Sequence, residues 1–234
     1  MRFADVVPAG AVSGVSLMIQ DQGRYLFALA PQGLWQKSAQ RVLIPVAALG
    51  GRRHGDESYV QCAQNRALEA GVAVRLLASH DPATFVSADG SVMSLDLDEE
   101  PLPAMIMERV LPARSRKPSE PGQEEPVRAY VAVYRAELAK PLLAPVAPAT
   151  AGGSPAALVW LAAHQVARMA GAALTRQGIP AAEAQVLAPP GFTLPEGAEF
   201  FLLGNPGSLL NPAQEAGSPA AAAAAERAVP GAAG

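Results

Sequence analysis

Residues 50–72 read Gly50-Gly51-Arg52-Arg53-His54-Gly55-Asp56-Glu57-Ser58-Tyr59-Val60-Gln61-Cys62-Ala63-Gln64-Asn65-Arg66-Ala67-Leu68-Glu69-Ala70-Gly71-Val72. An apolar run at 42–49 leads into the glycine pair, a polar loop follows, and an amphipathic segment closes on Gly71, so the order is strand, loop, helix. The signals predict a helix over 57–70. Asp56 is the expected N-cap, Glu57 and Glu69 fall in the first and last turns, and Gly71 stands where a left-handed C-cap is wanted. Val60, Ala63, Ala67 and Ala70 recur at spacings of three and four and form the expected buried stripe. Gln61, Asn65, Arg66 and Glu69 fall on the wetter side, and Cys62 is expected half-buried.

Working outward, runs at 15–19 and 24–29 are rich in Val, Leu, Ile, Tyr and Phe and flank Gln20-Asp21-Gln22-Gly23, which predicts a hairpin. Further strands are expected at 72–78, 91–97 and 128–138. Residues 158–160 lead into a helix over 161–174, and 200–203 make a last apolar run. Strands and helices mixed in this order predict an α+β fold. Two Pro-rich stretches, 114–127 and 141–155, hold too little apolar surface to offset their ordering entropy and are expected to be mobile. From Pro212 onward the chain is Ala, Pro, Gly and Glu, which predicts a single domain over 1–211 and a disordered tail over 212–234.

The chain of 234 residues is half hydrophobic and only 17% charged, as a packed globular protein should be. A formal charge of -3 disfavours a basic nucleic-acid footprint or an anionic membrane surface as partner. One cysteine, Cys62, can make neither an intramolecular disulfide nor a cysteine zinc site. The apolar run at 11–19 is too broken for a signal peptide, and the apolar window at 155–174 contains His164, Gln165 and Arg168, which a bilayer would reject. A cytoplasmic location is the expectation.

The stretch from Gly51 to Val72 resembles the signature of the Nudix hydrolase superfamily, G-x5-E-x7-R-E-U-x-E-E-x-G-U with U apolar. Gly51 is followed after five residues by Glu57, and seven more lead to Asn65. The second half departs from the pattern. Asn65-Arg66 replaces the Arg-Glu pair, Glu69 stands alone where two glutamates are expected, and Gly71-Val72 closes the motif one residue early. The resemblance covers residues 12–175 or so and implies an α/β/α sandwich around a mixed β-sheet. It also implies Mg²⁺ or Mn²⁺ held by helix carboxylates against a diphosphate, since hard cations take oxygen ligands. Carried over by position, Glu69 and the backbone near Gly51 are the metal-site candidates. Glu57 and Glu69 are the candidate catalytic acids, and Arg52 and Arg53 are candidate phosphate ligands. Arg66 stands where the family has a metal ligand, and its fixed positive charge should pair with Glu69 and repel a divalent ion.

Three functions follow. The first is a Nudix-fold protein with a degraded catalytic helix that binds a nucleoside-diphosphate-like ligand with weak or no turnover, and so needs no cofactor. The second is an active Mg²⁺- or Mn²⁺-dependent hydrolase of a nucleoside diphosphate linked to X, in which an acid from Asp96, Asp98, Glu99 or Glu100 completes the metal site. The third is a non-catalytic interaction scaffold. A homodimer is the partner expectation of the fold. Trp35 and Trp160 are read as packing, and His164 with Arg168 as a polar stripe on a core helix.

Overall fold

The structure is a computed structural model that describes residues 2–79, 81–98, 100–111, 127–142, 157–172 and 178–202. Its first half runs α1 (Phe3–Val6), β1 (Val12–Asp21), β2 (Arg24–Leu29), β3 (Gln36–Lys37), β4 (Val42–Arg52), α2 (Tyr59–Glu69), β5 (Val74–Leu76), β6 (Ala83–Val86) and β7 (Val92–Leu95). The second half runs β8 (Met105–Leu111), β9 (Val127–Leu138), β10 (Leu158–Ala162), α3 (Ala163–Ala172), β11 (Ile179–Pro180), β12 (Gln185–Leu187) and β13 (Ala198–Leu202).

All these strands join one mixed sheet with a main path β11-β13-β4-β2-β1-β9-β8-β6-β7. The pairs β1 with β9, β4 with β13 and β6 with β8 are parallel, and the others are antiparallel. The hairpin forms as the sequence predicts, but β1 continues to Asp21 and only Gln22 and Gly23 turn, both at positive φ (47° and 75°). That tight two-residue turn is the type whose twist matches the strands it joins. Beyond it the hairpin splays, and β4 pairs with β2 through residues 46–48 and with β1 through residues 49–52.

Alternation along the strands feeds two main layers of core. Val15, Leu17 and Ile19 of β1 and Tyr130, Ala132 and Tyr134 of β9 pack with Cys62, Ala63 and Ala67 of α2. Phe27 and Leu29 of β2, Ile44 and Val46 of β4, Val159 and Leu161 of β10 and Phe200 of β13 pack with Met169 of α3. Leu26 against Phe27 shows the split within a single strand, since the first belongs to the α2 layer and the second to the α3 layer. The fold is therefore α+β, a mixed sheet between helices in an α/β/α sandwich. Each large aliphatic side chain fully buried in these layers contributes about 2 kcal/mol.

Helix α2 begins later than the sequence predicts. Ser58, not Asp56, is the N-cap: its hydroxyl accepts from the Gln61 amide at 3.1 Å, while Gln61 Oε1 accepts from the Ser58 amide at 2.9 Å. This reciprocal pair satisfies two otherwise orphaned donors, which Asp56, two residues too early, cannot do. Gly71 takes the left-handed conformation expected of it, at φ 74°. The buried stripe is Cys62, Ala63, Ala67 and Ala70, with Val60 only half-buried. Cys62 is wholly buried rather than half-buried, because small side chains let α2 lie close on β4 and β1.

Strands 72–78 and 91–97 shorten to β5 and β7, while β6, β8 and β12 carry no expectation from sequence. The helix expected over 161–174 starts at Ala163, since Leu161 and Ala162 still pair with β2. Trp35 and Trp160 are buried in the core, as expected of packing residues. The stretches 114–126 and 143–155 and the tail 212–234, expected to be mobile or disordered, lie outside the described residues. Among the described residues no helix is long and apolar enough to cross a membrane.

Candidate functional site

Strand β4 delivers the glycine pair to α2, with Gly51 against Arg66 of the helix's last turn. At Gly50 the backbone of β4 runs against β1 so closely that a Cβ would overlap the Val15 carbonyl oxygen. At Gly51 a Cβ would lie 2.9 Å from Cδ of Arg66, so the arginine stem is laid across the bare backbone there. Behind this crossing Cys62 directs its thiol at the carbonyls of Gly51 and Arg52, 4.0 and 3.7 Å away. Burial, reinforced by the negative charge of Glu57, pushes the Cys62 thiol up to about 12, which keeps it a protonated donor and not a nucleophile.

The loop between β4 and α2 is fastened by Arg53. Its backbone amide donates to the Ser13 carbonyl at 2.8 Å, its Nε donates to Ser13 Oγ at 3.2 Å, and its guanidinium donates to the Glu57 carbonyl at 2.8 Å. The same guanidinium lies 5.1 Å from the centre of the Tyr59 ring, and Tyr59 stacks on Phe3 of α1 with centroids 4.4 Å apart. Arg53 thus commits Nε, one terminal nitrogen and its face to β1, Glu57 and the start of α2, whereas Arg52 is exposed at the loop's start. Sequence reasoning offered the two arginines as equivalents. It missed Ser13, Tyr59 and Phe3, whose link to Arg53 depends on the β1–β4 pairing and leaves no local signature.

Glu57 and Glu69 meet through Arg66. The guanidinium donates to Glu69 Oε2 at 2.7 Å and lies 3.8 Å from Glu57 Oε1. Glu57 Oε1 also accepts from Asn65 Nδ2 at 2.6 Å, and Oε2 accepts from the His54 amide at 3.3 Å. Burial pushes the Glu57 carboxyl up, but the bonds from Asn65, His54 and Cys62 and the charge of Arg66 outweigh it, and the net direction is downward. Glu57 is therefore an ionised carboxylate. Arg66 Nε is buried and has no hydrogen-bond partner.

A divalent cation at this position would need several oxygen donors within about 2.0–2.6 Å. The two carboxylates instead converge on a guanidinium whose stem covers Gly51, and Mg²⁺ or Mn²⁺ would have to share that space with a fixed positive charge. Among the described residues no group of three or more His, Cys, Asp or Glu gathers to supply a metal site. Asp96, Asp98 and Glu100 are exposed beyond the edge strand β7 and join no such group, and Glu99 lies outside the described residues. The residues present do not fit the metal.

A second polar cluster lies on the same face of the sheet. Ser13 faces Tyr130 across β1 and β9, and Tyr130 faces Glu108 across β9 and β8. Glu108 Oε1 accepts from Arg128 at 2.5 Å and from the Tyr130 hydroxyl at 3.1 Å, while Oε2 accepts from the Ala88 amide at 3.1 Å. The Arg128 bond foremost, together with those from Ala88 and Tyr130, holds the Glu108 carboxyl below its ordinary range against burial. On α3, His164 is exposed and Arg168 pairs with Glu183 at 3.2 Å, an outward polar stripe as expected.

The chain is similar to the solved structure of a NUDIX hydrolase from Nitrosomonas europaea, at 10% identity and a TM-score of 0.38 over 68% of this chain and 76% of that one. It is also similar to a NUDIX-family hydrolase from Clostridium perfringens, at 14% identity and a TM-score of 0.40 over 68% of this chain and 85% of that one. No protein-family model matches the chain, and neither does any curated protein.

Proposed function

We propose that this is a Nudix-like protein that binds a nucleoside-diphosphate-like ligand at the β4–α2 loop with weak or no turnover. The observation that carries the reading is the position of Arg66, which draws both Glu57 and Glu69 into ion pairs at the place where the motif resemblance puts a metal. Hydrolysis by this superfamily's route needs a cation to neutralise the diphosphate and to activate water. Here the carboxylates that would hold it are neutralised by the chain itself. The exposed Arg52 at the head of the loop offers a charge-assisted donor to a phosphate.

The test is a panel of nucleoside diphosphates linked to varied groups, incubated with the purified chain and Mg²⁺ or Mn²⁺. Product release is measured alongside ligand-induced shifts in melting temperature. Binding without turnover is the expected result. Turnover that Glu69→Gln abolishes overturns the reading in favour of a working hydrolase, and no melting shift with any nucleotide overturns it in favour of a scaffold.

A further inference from the structure

We infer that Arg66 takes over the work of the divalent cation, so that the loop receives ligand phosphates on a guanidinium with no metal between them. This rests on the ligand reading above and adds the identity of the group that holds the phosphates. Three observations point to it. The stem of Arg66 lies across Gly51 at a distance that only glycine allows, which fixes the guanidinium beside the turn between β4 and the loop. The charge stands between two carboxylates, 2.7 Å from Glu69 and 3.8 Å from Glu57, as a bound cation would. The side of the group open to a ligand is its outer one, because the partner on Nη1, Glu69, is 56% exposed.

An exposed carboxylate holds a guanidinium weakly and exchanges readily for a better-charged oxygen. A phosphate is such a group, with oxygens spaced for two parallel N–H···O bonds from one guanidinium. Glu69 is then a gatekeeper that yields its place to the ligand, while Glu57, shielded and tied to Asn65 and the His54 amide, stays and keeps Arg66 aimed. A metal-ligand role for Glu69 makes the opposite prediction, because a lost carboxylate would then weaken binding.

The experiment is calorimetry with inorganic pyrophosphate and with ADP, each in EDTA and in Mg²⁺, and with Mn²⁺ alone. The native chain should bind the anions in EDTA, gain nothing from added Mg²⁺, and take up no Mn²⁺. Glu69→Gln should tighten pyrophosphate several-fold, and Arg66→Ala should weaken it by about tenfold or more. Arg66→Lys, which keeps the charge and loses the fork, should fall between, and melting curves verify that each variant is folded. Binding that needs Mg²⁺, or that Glu69→Gln weakens, overturns the inference and leaves the ligand reading standing. If neither anion binds under either condition, the ligand reading and the inference fall together. Uptake by the native chain that Glu69→Gln removes overturns the cation role of Arg66, whereas uptake by Arg66→Ala alone supports it.

Discussion

Two arginine–carboxylate clusters share one face of the sheet, and they are built in opposite ways. At Glu108 the carboxylate is buried, its side chain only 8% exposed, and its three partners come from one neighbouring strand, β9, and a turn. At Arg66 the guanidinium and the Glu57 carboxylate are both shielded, one guanidinium nitrogen has no partner, and the other carboxylate, Glu69, is largely in solvent. A buried charge is tolerated when its bonds are satisfied, and a cluster that exists to join strands satisfies them. The contrast separates a cluster whose bonds are satisfied from one that leaves a buried donor without a partner.

The largest break in that contrast should come from Glu108→Ala. It strands the Tyr130 hydroxyl and the Ala88 amide and should cost about 3 kcal/mol in urea unfolding. A loss no greater than that from removing Glu69 would erase the distinction. Acid sharpens it: Glu108 titrates below its ordinary value of 4.5 in the folded chain, so its contribution is present in full above that value and is lost as pH falls through the folded value. Glu108→Gln should therefore flatten the fall of stability with pH below about 4.5. Arg66→Ala should cost less, about 1–2 kcal/mol, because Glu57 keeps Asn65 and the His54 amide. Gly51→Ala should cost about 1 kcal/mol by pushing the Arg66 stem aside, and a crystal structure of the variant should show the Glu57 ion pair opened. Smallest of all, Glu69→Gln should change stability by less than about 0.5 kcal/mol, as removal of an exposed ion pair does.

Local signals in the sequence reached as far as local physics does. The glycine pair, the loop, the amphipathic helix and Gly71 are short-range features, and the strand–loop–helix they predict is present. The cap moved from Asp56 to Ser58 because the deciding bond is a reciprocal one with Gln61, a pattern visible in the sequence as Ser58 followed at the third position by Gln61. The pairing of Arg66 with Glu69 follows from their spacing on one helix. Its approach to Glu57 and Gly51 depends on how α2 is laid on β4, and no spacing encodes that. Glu108 was out of reach for the same reason. Its partners Ala88, Arg128 and Tyr130 come together only through the β6–β8 and β8–β9 pairings, and β8 itself was not foreseen.

The ladder between β8 and β9 is closed by the pair Leu111 and Val127. Leu111 and Val127 are therefore direct register neighbours at the end of that ladder. A designed two-residue turn that joins Leu111 directly to Val127 should keep β8 and β9 in step.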